Sequence, residues 1–570
     1  MKFEEGSSSG PATGHVFLRI GTIVAVVVFL AAIIACFSLA RSFEVGRLSV
    51  PPAYDDVSYF QSAASWLALA PTRSVTSSIY GLLDQHAPFT ILVSAVGLAW
   101  IPKGYAGPYI LNAFVIAAFL LGIARLLKHS SLVNVVTCMV AVASIPMLAQ
   151  TVAEGRPDLP WGLAIGLAVG GIVSRPILLR RLTSVFGLGL LCGLAVSIKP
   201  TAFAPSVALI GFAVGAELLR ECIEAGLRRP TAIAYRGAPA AAVFTLGLLA
   251  AAAAMMSIRF QAIIAYIVSN FSTNLDFWAT SETTSDALLH YSTGFDGRLA
   301  LGGWLWWGLA LFVMRFGIEL YRRRSTRATT VLLAVVIVSY AIPTASPVKS
   351  YFLGAMFYGT FIVVLSLNLA AVLDSMSSRG AVPGSTMTSL PRPAVKLASL
   401  APLIAASIVF AVAFLRGPVS LATTFEKSMQ HDMRLATDRV WSFLEEEVSR
   451  SGSQSGVKPD RNLVVSFTSP YPVSADVIRL YAARAGMKIR AQPAYFNRTA
   501  DEVLRSVRTS GYVVLSSSMP HNLPVPRMGD ELIRRMDSDP TACLADSIPL
   551  QGIRTLRIYR IDASACEATR

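Results

Sequence analysis

The stretch Pro88-Phe89-Thr90-Ile91-Leu92-Val93-Ser94-Ala95-Val96-Gly97-Leu98-Ala99-Trp100-Ile101, closed by Pro102, decides how this chain is arranged. It is almost wholly apolar but only about fourteen residues long, where a membrane crossing needs roughly 17 to 25. That length suits an interfacial or re-entrant helix. Eleven further apolar stretches lie at about 16–40, 105–127, 131–149, 159–174, 182–198, 200–219, 237–257, 299–317, 329–345, 351–373 and 397–416. Suppose Pro88–Ile101 does not cross and the N-terminus is cytoplasmic. The cytoplasmic loops then carry Arg125/Lys128, Arg175/Arg180/Arg181, Arg220/Arg228/Arg229, Arg315/Arg322/Arg323/Arg324/Arg327 and Arg379/Arg392/Lys396. The opposite loops hold Asp55, Asp56, Asp84, Glu154, Asp158, Asp276, Glu282, Asp286 and Asp296. If the stretch crossed, every basic cluster would fall outside, against the bias of lysine and arginine towards the cytoplasm. The reading is therefore a polytopic α-helical membrane protein with about eleven transmembrane helices. It has a cytoplasmic tail at 1–15, a transmembrane domain at 16–419, and a first external loop at 41–104 that carries surface helices.

Composition agrees. Of 570 residues, 54% are hydrophobic and 15% charged, with a mean hydropathy of +0.56, whereas soluble proteins carry about 25% charged residues. The net charge of +15 is spread in short clusters between apolar segments, a topology signal with no nucleic-acid motif beside it. His15–Ala40 resembles a signal peptide, and Ile33–Cys36 a lipoprotein cleavage site. Its full-span length and the spans that follow favour an uncleaved first helix. Cys36, Cys138, Cys192 and Cys222 lie in or beside apolar segments and have no metal-ligand spacing. Cys543 and Cys566, in the polar C-terminal region, would suit a disulfide in an oxidising compartment.

Beyond residue 420 charges become frequent. A helix-like stretch (425–450) and a Ser/Gly linker (451–456) precede strand patterns at 462–467, 511–515 and 556–561 and helix patterns at 475–485 and 500–508. This alternation predicts a small external α/β domain, 420–570, with a parallel sheet. No phosphate-binding glycine pattern occurs in it, so the expected role is supporting or substrate-positioning.

Four polar constellations share the outer face: Asp55/Asp56, Asp84–Phe89 with His86, Glu154-Gly155-Arg156-Pro157-Asp158, and Lys199 with Lys349-Ser350-Tyr351. Carboxylates can act as a general base or hold a divalent cation, and lysines at the membrane boundary suit a lipid-linked phosphate. Plainer readings stand beside these. Asp55/Asp56 and Asp158 suit helix N-termini, His86 could bond a loop carbonyl, and Lys199 could snorkel.

In order and sidedness these motifs resemble the membrane-embedded GT-C glycosyltransferases, such as dolichyl-phosphate-mannose mannosyltransferases and aminoarabinose transferases, over roughly residues 15–375. Tyr54-Asp55-Asp56 matches the family's first-loop acidic pair, and His86-Ala87-Pro88-Phe89 its His-Pro-Pro-Leu-like motif. Glu154–Asp158 matches a Glu-Ala-Arg-x-Asp-like motif, Ser197-Ile198-Lys199 a Leu-Thr-Lys pattern, and Lys349-Ser350-Tyr351 a basic-x-Tyr element. Ala87 and Pro157 depart from the pattern. The resemblance implies inverting sugar transfer from a polyprenyl-phosphate donor to an envelope glycan, lipid or protein, at the outer face of a bacterial inner membrane. Asp55, Asp56 and Asp158 would be catalytic, with Asp55 as base. Asp84, His86, Glu154, Arg156, Lys199, Lys349 and Tyr351 would bind substrate. A divalent metal ion (Mg, Mn or Zn) would sit on Asp56, Asp158 and His86. A transporter or flippase of lipid-linked or small solutes is the competing class, though its acids would be expected nearer the bilayer midplane.

Overall fold

The structure is a computed structural model that describes residues 11–85, 87–101, 104–178, 180–224, 230–269, 275, 279, 282–377, 392–415, 419–455, 463–521, 523–552 and 555–561. Each of the eleven long apolar stretches is helical. By length and composition, five described helices can cross a membrane: Val16–Val45, Ala106–Leu126, Pro200–Glu224, Arg327–Thr344 and Ala355–Met376. Two bent pairs raise that to seven: Leu132–Ala143 with Pro146–Ala153, bent 61°, and Phe295–Leu301 with Trp304–Tyr321, bent 72°. The other expected crossings contain shorter apolar helices, at Asp158–Val173, Leu182–Ile198, Gly237–Ala253 and Leu400–Leu415. Large apolar side chains lie bare on the outer helices, among them Phe29, Phe114, Leu191, Val313 and Ile337. Water would penalise such a surface and lipid would not.

The first nine helices position the polar groups. They are α1 (Pro11–Val45), α2 (Asp55–Leu69), α3 (Val75–Leu83), α4 (Pro88–Trp100), α5 (Ala106–Leu126), α6 (Leu132–Ala143), α7 (Pro146–Ala153), α8 (Asp158–Val173) and α9 (Leu182–Ile198). The decisive stretch is α4, 13 residues long and started by Pro88 at a position where its missing N–H costs nothing. Gly97 lets α4 rest on α5: a Cβ there would stand 2.4 Å from the Pro108 nitrogen. The centre of the membrane part is the Ala355–Ser377 helix, 83% buried over its apolar window against 33% for Val16–Val45. It meets α8 backbone to backbone. A Cβ on Gly162 would lie 2.2 Å from the Ala355 carbonyl oxygen, and one on Gly359 2.0 Å from that of Gly162. Small residues that permit such close approach are how helices pack where lipid competes for apolar surface.

The C-terminal domain has five strands in the order β2-β1-β3-β5-β4: β1 (Leu463–Phe467), β2 (Ile489–Pro493), β3 (Tyr512–Ser516), β4 (Ala542–Pro549) and β5 (Thr555–Ile561). β1 runs parallel to β2 and β3, but β5 pairs antiparallel with both β3 and β4. The expected all-parallel sheet is therefore mixed. The short link between β4 and β5 permits only a hairpin, since parallel neighbours need a crossover of a dozen or more residues. Cys543 is disulfide-bonded; Cys566 lies outside the described residues.

The domain is fastened to the segment between α1 and α5. The Phe425 N–H donates to the Val45 carbonyl at 2.6 Å, and Arg434 Nε to that of Ser49 at 3.0 Å. Val477 and Leu480, from the Ala475–Ala485 helix, share a buried apolar cluster with Val57, Phe60 and Ala63 of α2 and Ile91 and Ala95 of α4. The helix that begins with the acidic pair is thus pinned from both sides.

Candidate active site

The acidic pair is set by what precedes it. After α1 the chain turns through a short 3-10 helix, Arg47–Ser49, and Tyr54 takes a left-handed conformation, φ 55°. A bulky residue there carries strain that its surroundings must hold in place. The Tyr54 ring lies 4.6 Å from the Arg47 guanidinium and stacks on Phe425 with centroids 6.0 Å apart. α2 then starts with both aspartates in its first turn, as a helix N-terminus favours.

The two carboxylates have opposite environments. Asp56 is fully buried; its Oδ2 accepts from the Tyr109 hydroxyl at 2.8 Å and from the Gly155 N–H at 3.0 Å. Among the described residues its buried Oδ1 has no hydrogen-bond partner; it lies 3.8 Å from the Arg156 Nε, which has none there either. Arg47 is the residue that sequence reading missed. Only 3% exposed, it donates to the Glu154 carboxylate from Nε at 3.0 Å and to the Ala53 carbonyl from Nη1 at 3.0 Å, and its Nη2 forms an ion pair with Glu154 at 2.9 Å. It also stands 3.8 Å from Asp56. Burial pushes the Glu154 carboxyl up, and the Arg47 charge opposes that shift. A lone arginine beside a span reads as a topology charge, so nothing in the sequence set Arg47 apart.

Asp55 is the open member: its side chain is 63% exposed, against 0% for Asp56, 2% for Glu154 and 10% for Asp158. Arg156 reaches it with Nη1 at 3.1 Å and lies 4.0 Å over the Phe352 ring. Beside Arg156 a cleft opens between α4, α5 and the start of α8, bordered by Thr90, Ser94, Asn112 and Gly155. The Thr90 hydroxyl there is buried and has no hydrogen-bond partner among the described residues.

The remaining sequence candidates divide. Asp158 is paired with Lys199, whose ammonium also lies 5.4 Å from the Trp161 ring. Lys349 is buried; it donates to the Thr344 carbonyl at 2.5 Å and approaches the Tyr291 ring at 5.7 Å. Tyr351 is buried, and among the described residues its hydroxyl has no hydrogen-bond partner. Asp84 closes α3, its N–H bonded to the Tyr80 carbonyl at 2.9 Å; it is not among the described groups that touch Asp55 or Asp56. His86 lies outside the described residues, as does Asp276. His290 sits between Glu282 at 3.0 Å and Asp296 at 2.7 Å.

A divalent cation was expected on Asp56, Asp158 and His86. Among the described residues no group of three His, Cys, Asp or Glu side chains converges. The described acids are already faced by cations, Asp56 by Arg47 and Arg156 and Asp158 by Lys199. The described donors alone do not make a divalent site, and no chemical step is routed through one.

No protein-family model matches the sequence, and neither does any curated protein. Solved structures do match. ArnT from Cupriavidus metallidurans, bound to undecaprenyl phosphate, aligns at a TM-score of 0.50 with 10% identity, over 96% of this chain and 98% of that one. The Archaeoglobus fulgidus oligosaccharyltransferase, tethered with an acceptor peptide containing the NVT sequon, aligns at 0.49 with 13% identity, over 87% and 69%. Arabinofuranosyltransferase AftD from Mycobacteria aligns at 0.47 with 14% identity, over 94% of this chain and 41% of that one. At such identities the likeness is one of fold. The match to ArnT runs through the membrane helices and the C-terminal domain alike, so the chain has a polytopic membrane fold similar to that of ArnT.

Proposed function

We propose that this protein is a GT-C-type glycosyltransferase, transferring a sugar from a polyprenyl-phosphate donor to an envelope glycan, lipid or protein at the outer face of a bacterial inner membrane. The reading includes eleven crossings, a cytoplasmic N-terminus and a periplasmic C-terminal domain. One observation carries it: a solvent-open carboxylate, Asp55, stands beside a buried, charge-compensated network of Asp56, Arg47, Glu154 and Arg156. An exposed base on a rigid buried frame is what proton removal from an incoming hydroxyl requires.

Asp55 takes the proton of the acceptor hydroxyl as that oxygen bonds to the anomeric carbon. The bond from that carbon to the phosphate oxygen breaks, and polyprenyl phosphate leaves with its electron pair. Arg156, between the acids and the cleft, and the lysines at 199 and 349 supply positive charge for the leaving phosphate. Asp56 and Glu154 hold the frame, and Asp158 fixes Lys199. The role of Asp55 is tested by Asp55→Asn, assayed with a labelled polyprenyl-phosphate sugar. Transfer should disappear while expression and thermal stability persist, and turnover at the wild-type rate would remove Asp55 as base. Mass spectrometry of cells lacking the protein should show an accumulated donor and a missing envelope sugar.

A further inference from the structure

The turn between α5 and α6 gathers cations from three parts of the chain. Arg125 lies in the last turn of α5, and Lys128 follows just after its end. Arg19 of α1 donates from Nη2 to the Lys128 and Ser130 carbonyls, each at 2.9 Å. From the turn after α8, the Arg175 guanidinium donates to the His129 ring, and Arg180 holds the Arg175 carbonyl at 2.8 Å. Chiefly the Arg175 charge, with that of Arg125 beside it, pushes the Lys128 ammonium below its ordinary value.

Other basic clusters carry their own acids: Arg220 pairs with Glu217 and Glu224, and Arg315 with Glu319. Among the described residues no carboxylate forms an ion pair with Arg19, Arg125, Lys128 or Arg175. The acid that reaches this turn, Asp374, is taken up by the Ser130 hydroxyl at 2.7 Å and the Asn134 amide at 2.6 Å. Membrane sidedness asks for cations on one face, but not for their convergence on one turn. The turn is also far from the acidic pair. Tyr109, the partner of Asp56, stands at the start of α5, and the cations stand at its end. Those 21 residues span about 30 Å at 1.5 Å each, the thickness of the hydrocarbon core.

Charge alone would suit any phosphate, but bare apolar side chains beside the cations narrow the choice. Phe17 and Ile20 flank Arg19, and Leu121 stands one turn from Arg125 on the same face of α5; all three are exposed. A free phosphate makes nothing of such a surface, whereas acyl chains cover it. We infer that this turn binds an anionic phospholipid, its phosphate among Arg125, Lys128 and Arg175 and its chains along α1 and α5. The bound head group ties together the ends of α1, α5 and α8. It thereby steadies two helices whose other ends hold Tyr109 and Asp158. The inference does not depend on the transfer reading.

The test uses the full-length protein in neutral-detergent micelles, titrated with phosphatidylglycerol or phosphatidylcholine and followed by thermal unfolding. Phosphatidylglycerol should raise the unfolding temperature to a plateau, and phosphatidylcholine should not. A lysine or arginine near an anionic lipid strengthens attachment about fivefold. Lys128→Gln with Arg175→Gln should therefore move the titration midpoint to about 25-fold more lipid, and Arg125→Gln alone to about fivefold more. Arg125 is exposed, so the single variant keeps the test decisive should the double variant not fold. Arg323→Gln with Arg324→Gln removes two exposed charges from another turn and should leave the midpoint in place. The inference is overturned if phosphatidylcholine stabilises as well, if phosphatidylglycerol does not stabilise, or if the variants at this turn leave the midpoint unmoved. An equal shift in the Arg323/Arg324 variant would also overturn it, by reducing the effect to overall charge. Inorganic phosphate that reproduces the full stabilisation would overturn the phospholipid as the occupant.

Discussion

Arg47 offers the sharpest quantitative test, because it is the cation inside a knot of buried acids. Replacing it by methionine keeps the apolar stem but removes two hydrogen bonds, one to Glu154 and one to the Ala53 carbonyl, and the ion pair with Glu154. Breaking a buried pair by deleting one partner costs about 3–5 kcal/mol, because the other charge stays behind. Here two charges stay behind. Converting the partner as well, Arg47→Met with Glu154→Leu, would leave most buried pairs nearly neutral. In this protein it should not. Asp56, fully buried, stands 3.8 Å from Arg47, and at an effective dielectric of about 20 that attraction is on the order of 4 kcal/mol before desolvation. The double variant should therefore remain destabilised by about 2–4 kcal/mol. Adding Asp56→Asn should recover much of the loss. Thermal unfolding in nanodiscs, followed by near-UV circular dichroism, should rank the triple variant above the double and the double above the single. The reasoning is refuted if Arg47→Met unfolds with the wild type, or if Glu154→Leu alone restores it fully.

Other expectations follow from single contacts. Tyr109→Phe removes one of two donors to Asp56 and should lower stability by about 2 kcal/mol, the worth of a hydrogen bond to a charged group, in the same unfolding assay. Gly162→Val would drive a side chain into the Ala355 carbonyl. It should cost about 3 kcal/mol or more, read as lost yield of folded protein.

The membrane architecture was legible because lipid imposes a simple rule. A helix must be long and apolar, and its flanking charges report sidedness. α4 was readable for the same reason, since thirteen apolar residues started by Pro88 are too few to cross. The mixed sheet was not. β4, Ala-Cys-Leu-Ala-Asp-Ser-Ile-Pro, is an edge strand with much of its length exposed and lacks the apolar alternation that marks a half-buried strand. β2 is short and ends on Pro493. Within the site, Asp55, Asp56, Glu154 and Arg156 were each visible as charges between apolar stretches. Their division into one open and several buried groups was not, because it depends on Arg47 folding back and on Tyr109 reaching from the first turn of a span. Those partners are distant in sequence, 53 residues for Tyr109 and Asp56.

The glycine seam between α8 and the Ala355–Ser377 helix bears on how such a site can move. Where side chains form the layer between two helices, small rotamer changes let one cylinder slide on the next. At Gly162 and Gly359 no such layer exists, because carbonyl oxygens rest directly on the neighbouring backbone. The helix bearing Asp158, the partner of Lys199, is therefore held fixed against the Ala355–Ser377 helix. Spin labels attached along α8 and the Ala355–Ser377 helix should hold a fixed separation with and without added polyprenyl-phosphate sugar. α4 is seated on α5 in the same way, Gly97 against Gly107, so movement that admits a lipid chain falls to helices whose contacts are made by side chains.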